Sequence, residues 1–402
     1  MKLLITITTL VLITVSLFSQ GRIKDYGIKP GIFRTGEYNA ITDVPGVKVG
    51  QVTIIEGDDI RTGVTAIIPH EGNLFRLKCP AAVYAGNGFG KLAGVTQIEE
   101  LGNTESPIIL TNTLSVAQGI EGVITYSLAQ EGNESVGSVN AVVGETNDGG
   151  LNDIRGRHVT ADHVLKAIEI ASGGPVEEGC VGAGTGTICF GFKGGIGTSS
   201  RVLPKSFGGY TVGVLVQSNY GGILEIDGVR MGEMLGQYSF KKAVEEEKSA
   251  LSSACESTSS KSSSCESGSC ESTQDQQLNA DGSCMMVVIT DAPVDARNLK
   301  RIAKRAMMGL AKTGGIASNG SGDYVIALSV CKENLINEST SKYNPVLLHN
   351  DDMSALFEAT IEATAEALWN SLFKATDMTG KGGRTVKALP VEKVVELMRK
   401  RR

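Results

Sequence analysis

The sequence predicts a layered α/β sandwich in which two blocks of strands and helices pack as one body. Short apolar runs bounded by glycine or polar residues, typical of buried strands, alternate with helical patterns along most of the 402 residues. The chain is 41% hydrophobic and 20% charged, which is typical of a globular protein long enough to bury a large core. The two blocks flank one serine-rich segment, so helices and sheets are expected on both sides of it.

The first block contains most of the predicted strands. Residues 41–56 are predicted as strand, turn and strand, with Pro45-Gly46 as the turn. Thr160 can cap a helix that continues to about Ala171 and stops before Gly173. Further strands are predicted at residues 65–69, at 81–94 with a Gly-rich turn, at the start of 107–130 before a helix, at 141–147 and at 210–217.

The second block repeats the pattern after the serine-rich segment. Residues 285–290 and 324–330 are predicted strands, and Asp295 can cap a helix that continues to Lys312. Residues 354–373 have apolar side chains at helical spacing, which predicts an amphipathic helix. Its expected apolar stripe consists of Phe357, Ile361, Ala365, Leu368 and Leu372.

Residues 243–277 differ from both blocks. They begin with Glu-Glu-Glu-Lys and continue with many serines and a recurring Cys-Glu-Ser at Cys255, Cys265 and Cys270. With almost no bulky apolar residues, this segment is predicted to be a disordered, protease-accessible linker. A metal site on its cysteines is less favoured, because serine-rich loops rarely fix ligand geometry.

The N-terminus has the pattern of a secretory signal. One lysine is followed by an apolar run and by small or polar residues near Ser19-Gln20, so residues 1–19 are predicted to be a cleaved signal peptide. A transmembrane anchor is the alternative, but the run is short and no basic segment follows it closely. The protein is therefore expected to be exported, to the periplasm or beyond, without stable membrane association. A net charge of −6 argues against a nucleic-acid partner.

The cysteines and glycine-rich turns suggest no cofactor. In an oxidising compartment some cysteines can pair, but buried unpaired thiols are expected for Cys189, Cys284 and Cys331. The Gly-rich turns at residues 86–90 and 182–186 lack the full spacing of a dinucleotide site. They are interpreted as tight turns, and neither a cofactor nor a metal is predicted.

Ser283 is the strongest candidate for chemistry. It follows Gly282 at the end of the linker and opens a predicted strand. A serine in this place is ordinarily structural, but a chain cut before Ser283 would put a nucleophile and a basic α-amino group on one residue. Ser321 and Asp323 lie just before the next strand, where a hydroxyl and a carboxylate can orient that pair.

Two further polar residues end predicted strands. The Asn219 amide can donate to a developing oxyanion, and the Glu145 carboxylate can hold a substrate ammonium group. Without other support, each would be interpreted as a turn-former.

Taken together, these residues carry a resemblance to a known family. The chain resembles the DmpA/BapA-type serine peptidases (peptidase family S58), which comprise L-aminopeptidase/D-esterases and β-peptidyl aminopeptidases. The resemblance covers nearly all of the mature chain in order, and its motifs are specific jointly rather than singly. In chain order they are residues 39–47 (NAITDVPGV), 63–67 (GVTAI), 110–116 (LTNTLSV), 144–148 (GETND), 151–153 (LND), 217–221 (QSNYG), 282–283 (GS), 290–293 (TDAP) and 320–323 (GSGD).

The resemblance implies a four-layer αββα sandwich like that of N-terminal-nucleophile hydrolases. It implies self-cleavage between Gly282 and Ser283, giving an α chain of residues 20–282 and a β chain of residues 283–402 within one domain. Processed protomers of the family often assemble as homotetramers. The implied activity is an aminopeptidase that removes N-terminal residues from small peptides, amides or esters.

The implied roles follow the matching motifs. Ser283 would be the nucleophile with its new α-amino group as base, Ser321 and Asp323 the supporting pair, Asn219 an oxyanion donor and Glu145 the amine-binding residue. The chain departs from the family pattern in its long Ser- and Cys-rich insertion, and in carrying Asp323 where some members have glutamate.

The sequence leaves open one other nucleophile and two other functions. Cleavage one residue later would make Cys284 the nucleophile, although the family motif aligns on the serine. An acyltransferase related to ornithine acetyltransferase would need a threonine after a Lys-Gly-Ala type site, which is missing near the linker. A non-catalytic exported binding protein would use the linker as a surface tether.

Overall fold

A computed structural model describes residues 20–257 and 282–400. The strands are β1 (Lys48–Glu56), β2 (Ile60–Ile68), β3 (Leu77–Gly88), β4 (Leu92–Ala93), β5 (Asn103–Thr104), β6 (Ile108–Asn112), β7 (Val142–Thr146), β8 (Ile188–Cys189), β9 (Phe192–Lys193), β10 (Gly195–Val202), β11 (Thr211–Asn219), β12 (Ser283–Thr290), β13 (Gly322–Ser329), β14 (Ile336–Asn337), β15 (Met378–Thr379) and β16 (Thr385–Val386). The α-helices are α1 (Val95–Leu101), α2 (Val116–Leu128), α3 (Ala161–Glu169), α4 (Met231–Leu235), α5 (Lys241–Ser257), α6 (Ala296–Lys312), α7 (Ser354–Phe373) and α8 (Val391–Lys400).

Two sheets stack face to face, and a layer of helices covers the outer face of each. One sheet has the strand order β1-β2-β6-β7-β4, and α2 and α3 pack against it. The other has the order β10-β11-β12-β13-β3-β14, and α6 and α7 pack against it. This arrangement confirms the predicted four-layer αββα sandwich.

Strand β12 lies inside the larger sheet and is buried on both faces. Met285 and Val287 belong to the hydrophobic cluster between the two sheets. Cys284 and Met286, which alternate with them, belong to the cluster against the outer helices. A strand covered on both sides needs apolar residues at successive positions, which explains the unbroken apolar run in this part of the sequence.

The predicted strands of both blocks and the helices α3 and α6 are confirmed, apart from the first residues of the 41–56 segment. Residues Ile41–Asp43 form a 3-10 helix instead of a strand, because the Asp43 carboxylate accepts a hydrogen bond from the Ala40 N–H at 3.0 Å. Strand β10 was not predicted, because its serines and threonines hide the apolar signal of a buried strand. Its hydroxyls are satisfied internally, as where Thr198 Oγ1 donates to the Val214 carbonyl at 2.7 Å.

The predicted disordered linker is wrong for its first part. Residues 243–257 belong to helix α5, in which Lys241 and Glu245 form an i,i+4 ion pair at 3.8 Å. Glutamate, lysine and alanine favour a helix even where little apolar surface is buried. The remainder of the predicted linker, with Cys265 and Cys270, lies outside the described residues, as does the predicted signal peptide.

Helix α7 is also different from its prediction, because it is buried nearly all round instead of on one stripe. Its polar side faces β10 and the N-terminal segment rather than solvent. There Arg201 Nε lies 2.8 Å from Glu362 Oε2 and Arg201 Nη1 lies 2.7 Å from Glu366 Oε2. All three side chains are at most 3% exposed. This buried ion triad joins α7 to the edge of the larger sheet.

We expect Arg201→Met to lower the free energy of unfolding by about 3–5 kcal/mol, because it leaves two buried carboxylates without their counterion. Urea denaturation followed by circular dichroism measures this change. Lys166→Ala, which breaks an exposed ion pair with Glu169, is the matched control and should change stability by less than about 1 kcal/mol. An Arg201→Met variant as stable as the control would contradict a stabilising role for the triad.

Candidate active site

Ser283 is the first residue of β12 and lies between two neighbouring strands. It is opposite Asn219 of the antiparallel β11 and opposite Gly322 of the parallel β13. Because side chains alternate along a strand, Ser283 faces the space between the sheets together with Met285. Cys284 faces the outer helices, and burial raises the pKa of its thiol well above the usual value. This geometry favours the serine over the cysteine as a nucleophile.

The peptide bond before Ser283 is held by Gly322. The Gly322 N–H donates to the Gly282 carbonyl oxygen at 3.1 Å and also lies 3.3 Å from Ser283 Oγ. Gly282 itself has no room for a side chain. A Cβ there would lie 2.0 Å from the Asn219 carbonyl oxygen and 2.7 Å from the Tyr220 Cα. The scissile position predicted from the sequence is therefore a tight approach of three backbone segments.

Ser321 and Asp323 flank Gly322 but face away from Ser283. Asp323 is opposite Cys284 in the β12–β13 ladder, so its carboxylate lies on the side of the outer helices. It is 1% exposed, and within the described residues neither of its oxygens nor Ser321 Oγ makes a hydrogen bond of good geometry. Burial raises the pKa of Asp323 to about 6, although the nearby Ser321 hydroxyl and Cys284 N–H oppose this rise.

Asn219 ends β11 with its side-chain amide held in place. Its Oδ1 accepts a hydrogen bond from the Ile188 N–H at 2.9 Å, and its Nδ2 donates to the Asn147 carbonyl at 3.0 Å. A side-chain amide has two N–H groups. The second N–H of Asn219 makes no hydrogen bond within the described part of the chain, so it can donate to another group.

Glu145, near the end of β7, is almost fully buried, with a side chain that is 2% exposed. One carboxylate oxygen accepts a hydrogen bond from the Lys91 backbone N–H at 2.9 Å, and the other accepts one from the Thr113 hydroxyl. The loop at Gly90 separates Glu145 from β13. A Cβ at Gly90 would lie 3.3 Å from Glu145 Oε1 and 3.2 Å from the Gly322 Cα. Gly90 thus lies between Glu145 and Gly322, the residue of β13 that is opposite Ser283.

Gln217 connects the two sheets beneath this site. The two N–H groups of its Nε2 are shared among three acceptors: the carbonyls of Thr111 and Ala183, at 3.0 and 2.9 Å, and Thr146 Oγ1 at 2.9 Å. Because Gln217 is two residues from Asn219 and Thr146 is next to Glu145, these bonds set the separation of the two halves of the site. Sequence reasoning missed this role, although Gln217 lies within one of the motifs that carry the family resemblance.

The structure thus brings Ser283, Gly282, Asn219 and Gly322 into contact and places Glu145 nearby. Ser321 and Asp323 adjoin the same strand ends on the other face of the sheet. Gly322 and Lys91 are the contributors that the sequence did not indicate, because a backbone N–H has no sequence signal. A serine hydroxyl, fixed N–H donors and a buried carboxylate suit acyl transfer from substrates that carry an amino group. No cluster of residues suited to a metal ion is found in residues 20–257 and 282–400.

This fold and site define an N-terminal-nucleophile hydrolase of the serine type. The chain belongs to peptidase family S58, whose sequence profile matches residues 39–386. It is 37% identical over 392 residues to the β-peptidyl aminopeptidase BapA of Sphingosinicella microcystinivorans, covering 95% of this chain and 92% of that one.

Solved structures of similar sequence have the same fold as this chain. A Pyrococcus horikoshii protein has a TM-score of 0.81 and 41% identity, over 95% of this chain and 99% of that one. The L-aminopeptidase D-Ala-esterase/amidase of Ochrobactrum anthropi has a TM-score of 0.79 and 32% identity, over 94% of this chain and 98% of that one. That structure is described as a prototype serine aminopeptidase with a variant of the N-terminal-nucleophile hydrolase fold. The chain is accordingly an aminopeptidase, which argues against both a non-catalytic binding protein and an acyltransferase.

We expect Asp323→Asn to stabilise the intact chain increasingly as the pH rises. The pKa of Asp323, about 6, lies above its ordinary value of 3.8, so the carboxyl favours folding at low pH and this contribution is lost as the pH rises from about 4 through 6. The gain of the variant over its parent should grow by roughly 2–3 kcal/mol across this window. Urea denaturation of both chains, each carrying Ser283→Ala to keep it intact, measures it. Parallel pH profiles would contradict the prediction.

Proposed function

We propose that the protein cleaves itself between Gly282 and Ser283 and then uses Ser283 as the nucleophile of an aminopeptidase. The observation that carries this proposal is the position of the Gly322 N–H, which donates to the Gly282 carbonyl at 3.1 Å and lies 3.3 Å from Ser283 Oγ. The bond to be broken, its nucleophile and a donor for the developing oxyanion are therefore adjacent in the intact chain.

In the self-cleavage step, Ser283 Oγ attacks the carbonyl carbon of Gly282. The hydroxyl proton is transferred to the Ser283 nitrogen as the C–N bond breaks, so an ester links Gly282 to Ser283 Oγ. Water then hydrolyses this ester, leaving a carboxylate on Gly282 and a free amino group on Ser283. The α chain then ends at Gly282, and the β chain begins at Ser283.

The amino group released by cleavage would give the buried Asp323 carboxylate a charged partner. In the intact chain this buried carboxylate has no good hydrogen-bond partner in the described residues, yet it lies near the Cys284 N–H, one peptide unit from the Ser283 nitrogen. After cleavage an ammonium group stands at that nitrogen. We expect it to pair with Asp323, while its neutral form, with a typical pKa near 8, serves as the general base for Ser283.

The same groups serve substrate turnover. Ser283 Oγ attacks the carbonyl of the first residue, the α-amino group passes the proton to the leaving amine, and water releases the acyl group. The Gly322 N–H and the second N–H of Asn219 are the candidate oxyanion donors, and Glu145 is the candidate partner of the substrate ammonium. A single donor of this kind is typically worth a factor of about 10² to 10³ in kcat.

We further propose that the substrates include peptides whose first residue is β-linked. The curated relative of 37% identity is a β-peptidyl aminopeptidase and matches over nearly the full length of both chains. Small α-linked residues, amides and esters are the other candidate substrates.

Export and assembly are also part of the proposal. The first 19 residues have the composition of a signal peptide, and no helix within the described ranges is long and apolar enough to span a membrane. We propose a periplasmic or secreted enzyme whose processed protomers form a homo-oligomer, a homotetramer by analogy with the family. Cell fractionation and light scattering on the purified protein test these two points.

Replacing the nucleophile tests the central claim. We expect Ser283→Ala to remain a single chain by intact-mass measurement, because no hydroxyl is left to attack the Gly282 carbonyl. For the same reason it cannot attack the substrate carbonyl, and we expect it to lose hydrolysis of aminoacyl p-nitroanilides. Cys284→Ala is the matched control and should process normally. A Ser283→Ala protein that still splits into two chains with wild-type activity would refute the assignment.

Gly282→Ala tests the geometry of the cleavage site. The added methyl group would collide with backbone atoms of Asn219 and Tyr220, which must displace the scissile carbonyl from the Gly322 N–H. We expect self-cleavage to slow by about a hundredfold, the usual effect of a misplacement near 1 Å. Gly137→Ala, at a glycine with open space around its Cβ position, is the control. Equal rates of chain splitting in the two variants, measured by gel electrophoresis over time, would contradict the expectation.

A further inference from the structure

The proposed amine-binding residue already has a cation beside it. Lys91 Nζ lies 3.9 Å from Glu145 Oε1, and this is the only ion pair of Glu145 within the described residues. The two partners differ in burial: the Glu145 side chain is 2% exposed and the Lys91 side chain is 58% exposed. The Lys91 backbone is anchored, because its N–H donates to the same Glu145 oxygen at 2.9 Å. The Lys91 side chain is therefore open to solvent and to a bound substrate, while its backbone is held at Glu145.

A substrate whose first residue carries an amino group but no carboxylate is a poor match to the Glu145–Lys91 pair. Its ammonium group must approach Glu145, and the two remaining contacts of Glu145 are the neutral donors of Lys91 N–H and Thr113. Two ammonium groups would then share one carboxylate and repel each other. Lys91 must either move into solvent or find a second negative charge.

A first residue that carries a carboxylate beside its amino group supplies that charge. Its ammonium group pairs with Glu145 and its carboxylate pairs with Lys91, so the four charges alternate in sign. We propose that Glu145 and Lys91 form a two-charge subsite that selects β-aspartyl peptides, in which the amino group and a free carboxylate are on the same carbon. This inference rests on the proposed function, in which Glu145 holds the substrate ammonium and the scissile bond is β-linked.

The chemistry offers a closely matched pair of substrates. A β-aspartyl residue equals a β-alanyl residue with one added carboxylate on the carbon that carries the amino group. The number of bonds from the ammonium group to the scissile carbonyl is the same in both. A difference in their turnover therefore reports the contact of that carboxylate with the enzyme and leaves the reacting groups unchanged.

The experiment compares kcat/KM for β-aspartyl-leucine and β-alanyl-leucine with the processed enzyme. We expect the wild type to prefer the β-aspartyl substrate by about tenfold, an effect on the scale of one charged contact, and 0.5 M NaCl to weaken the preference. In Lys91→Met the β-aspartyl value should fall by about tenfold or more. The β-alanyl value should rise about two- to fivefold, because the competing ammonium is gone.

Two control variants separate the contact from net charge. Lys91→Arg keeps the positive charge and should keep the preference, whereas Lys300→Met removes a charge from a distant ion pair with Glu99 and should leave the ratio of the two substrates as in the wild type. The same substrate ratio in the wild type and in Lys91→Met would overturn the inference while leaving the proposed function intact. Failure of the wild type to cleave either dipeptide would contradict the β-linked function itself, and the inference with it.

Discussion

The pairing of β12 between β11 and β13 is the constraint on which the site depends. This strand is buried on both faces, so its register cannot shift by one residue without exchanging Met285 for Met286 at the cluster between the sheets. The register places Ser283 opposite Asn219 on one side and opposite Gly322 on the other. Ser283, the Asn219 amide and the Gly322 N–H are thus positioned by the same ladder that holds the core together.

The second constraint is the spacing of the two sheets. Ser283 lies on one sheet and Glu145 on the other, so the proposed site, which uses both residues, needs a fixed distance between the sheets. The buried side chain of Gln217 connects the two sheets, because the two N–H groups of its amide are shared among acceptors on β6, on β7 and at Ala183. The loop through Gly90 carries Lys91 to the Glu145 carboxylate at the same interface.

In the part that the structure describes, the intact chain has a buried carboxylate without a counterion beside the proposed cleavage point. Asp323 is buried without a good partner among the described residues, at a cost reflected in its raised pKa. Cleavage before Ser283 would create a positive charge one peptide unit from the Cys284 N–H that Asp323 approaches. In the proposed processed form, that positive charge would give the buried carboxylate a counterion.

Much of this protein can be predicted from local patterns, since apolar runs and caps such as Asp295 depend on neighbouring residues alone. The αββα layers followed from that pattern together with the family motifs, and so did the candidates Ser283, Asn219 and Glu145. Two of the errors occurred where distant residues decide the outcome, whereas the 3-10 helix at Ile41–Asp43 and helix α5 depend on local contacts. Strand β10 contains hydroxyls that only its neighbours satisfy, and α7 buries Glu362 and Glu366 because Arg201 reaches them from another element.

The sequence by itself determined which residue types stand at the strand ends, because those types follow from motifs and from the alternation of side chains. Only the tertiary structure decided which groups meet. It shows that the Gly322 N–H donates to the Gly282 carbonyl, that Asp323 lies on the same face of the sheet as Cys284, and that Lys91 lies beside Glu145. These are contacts between segments far apart in the chain, and they depend on how two sheets stack, which no local pattern records.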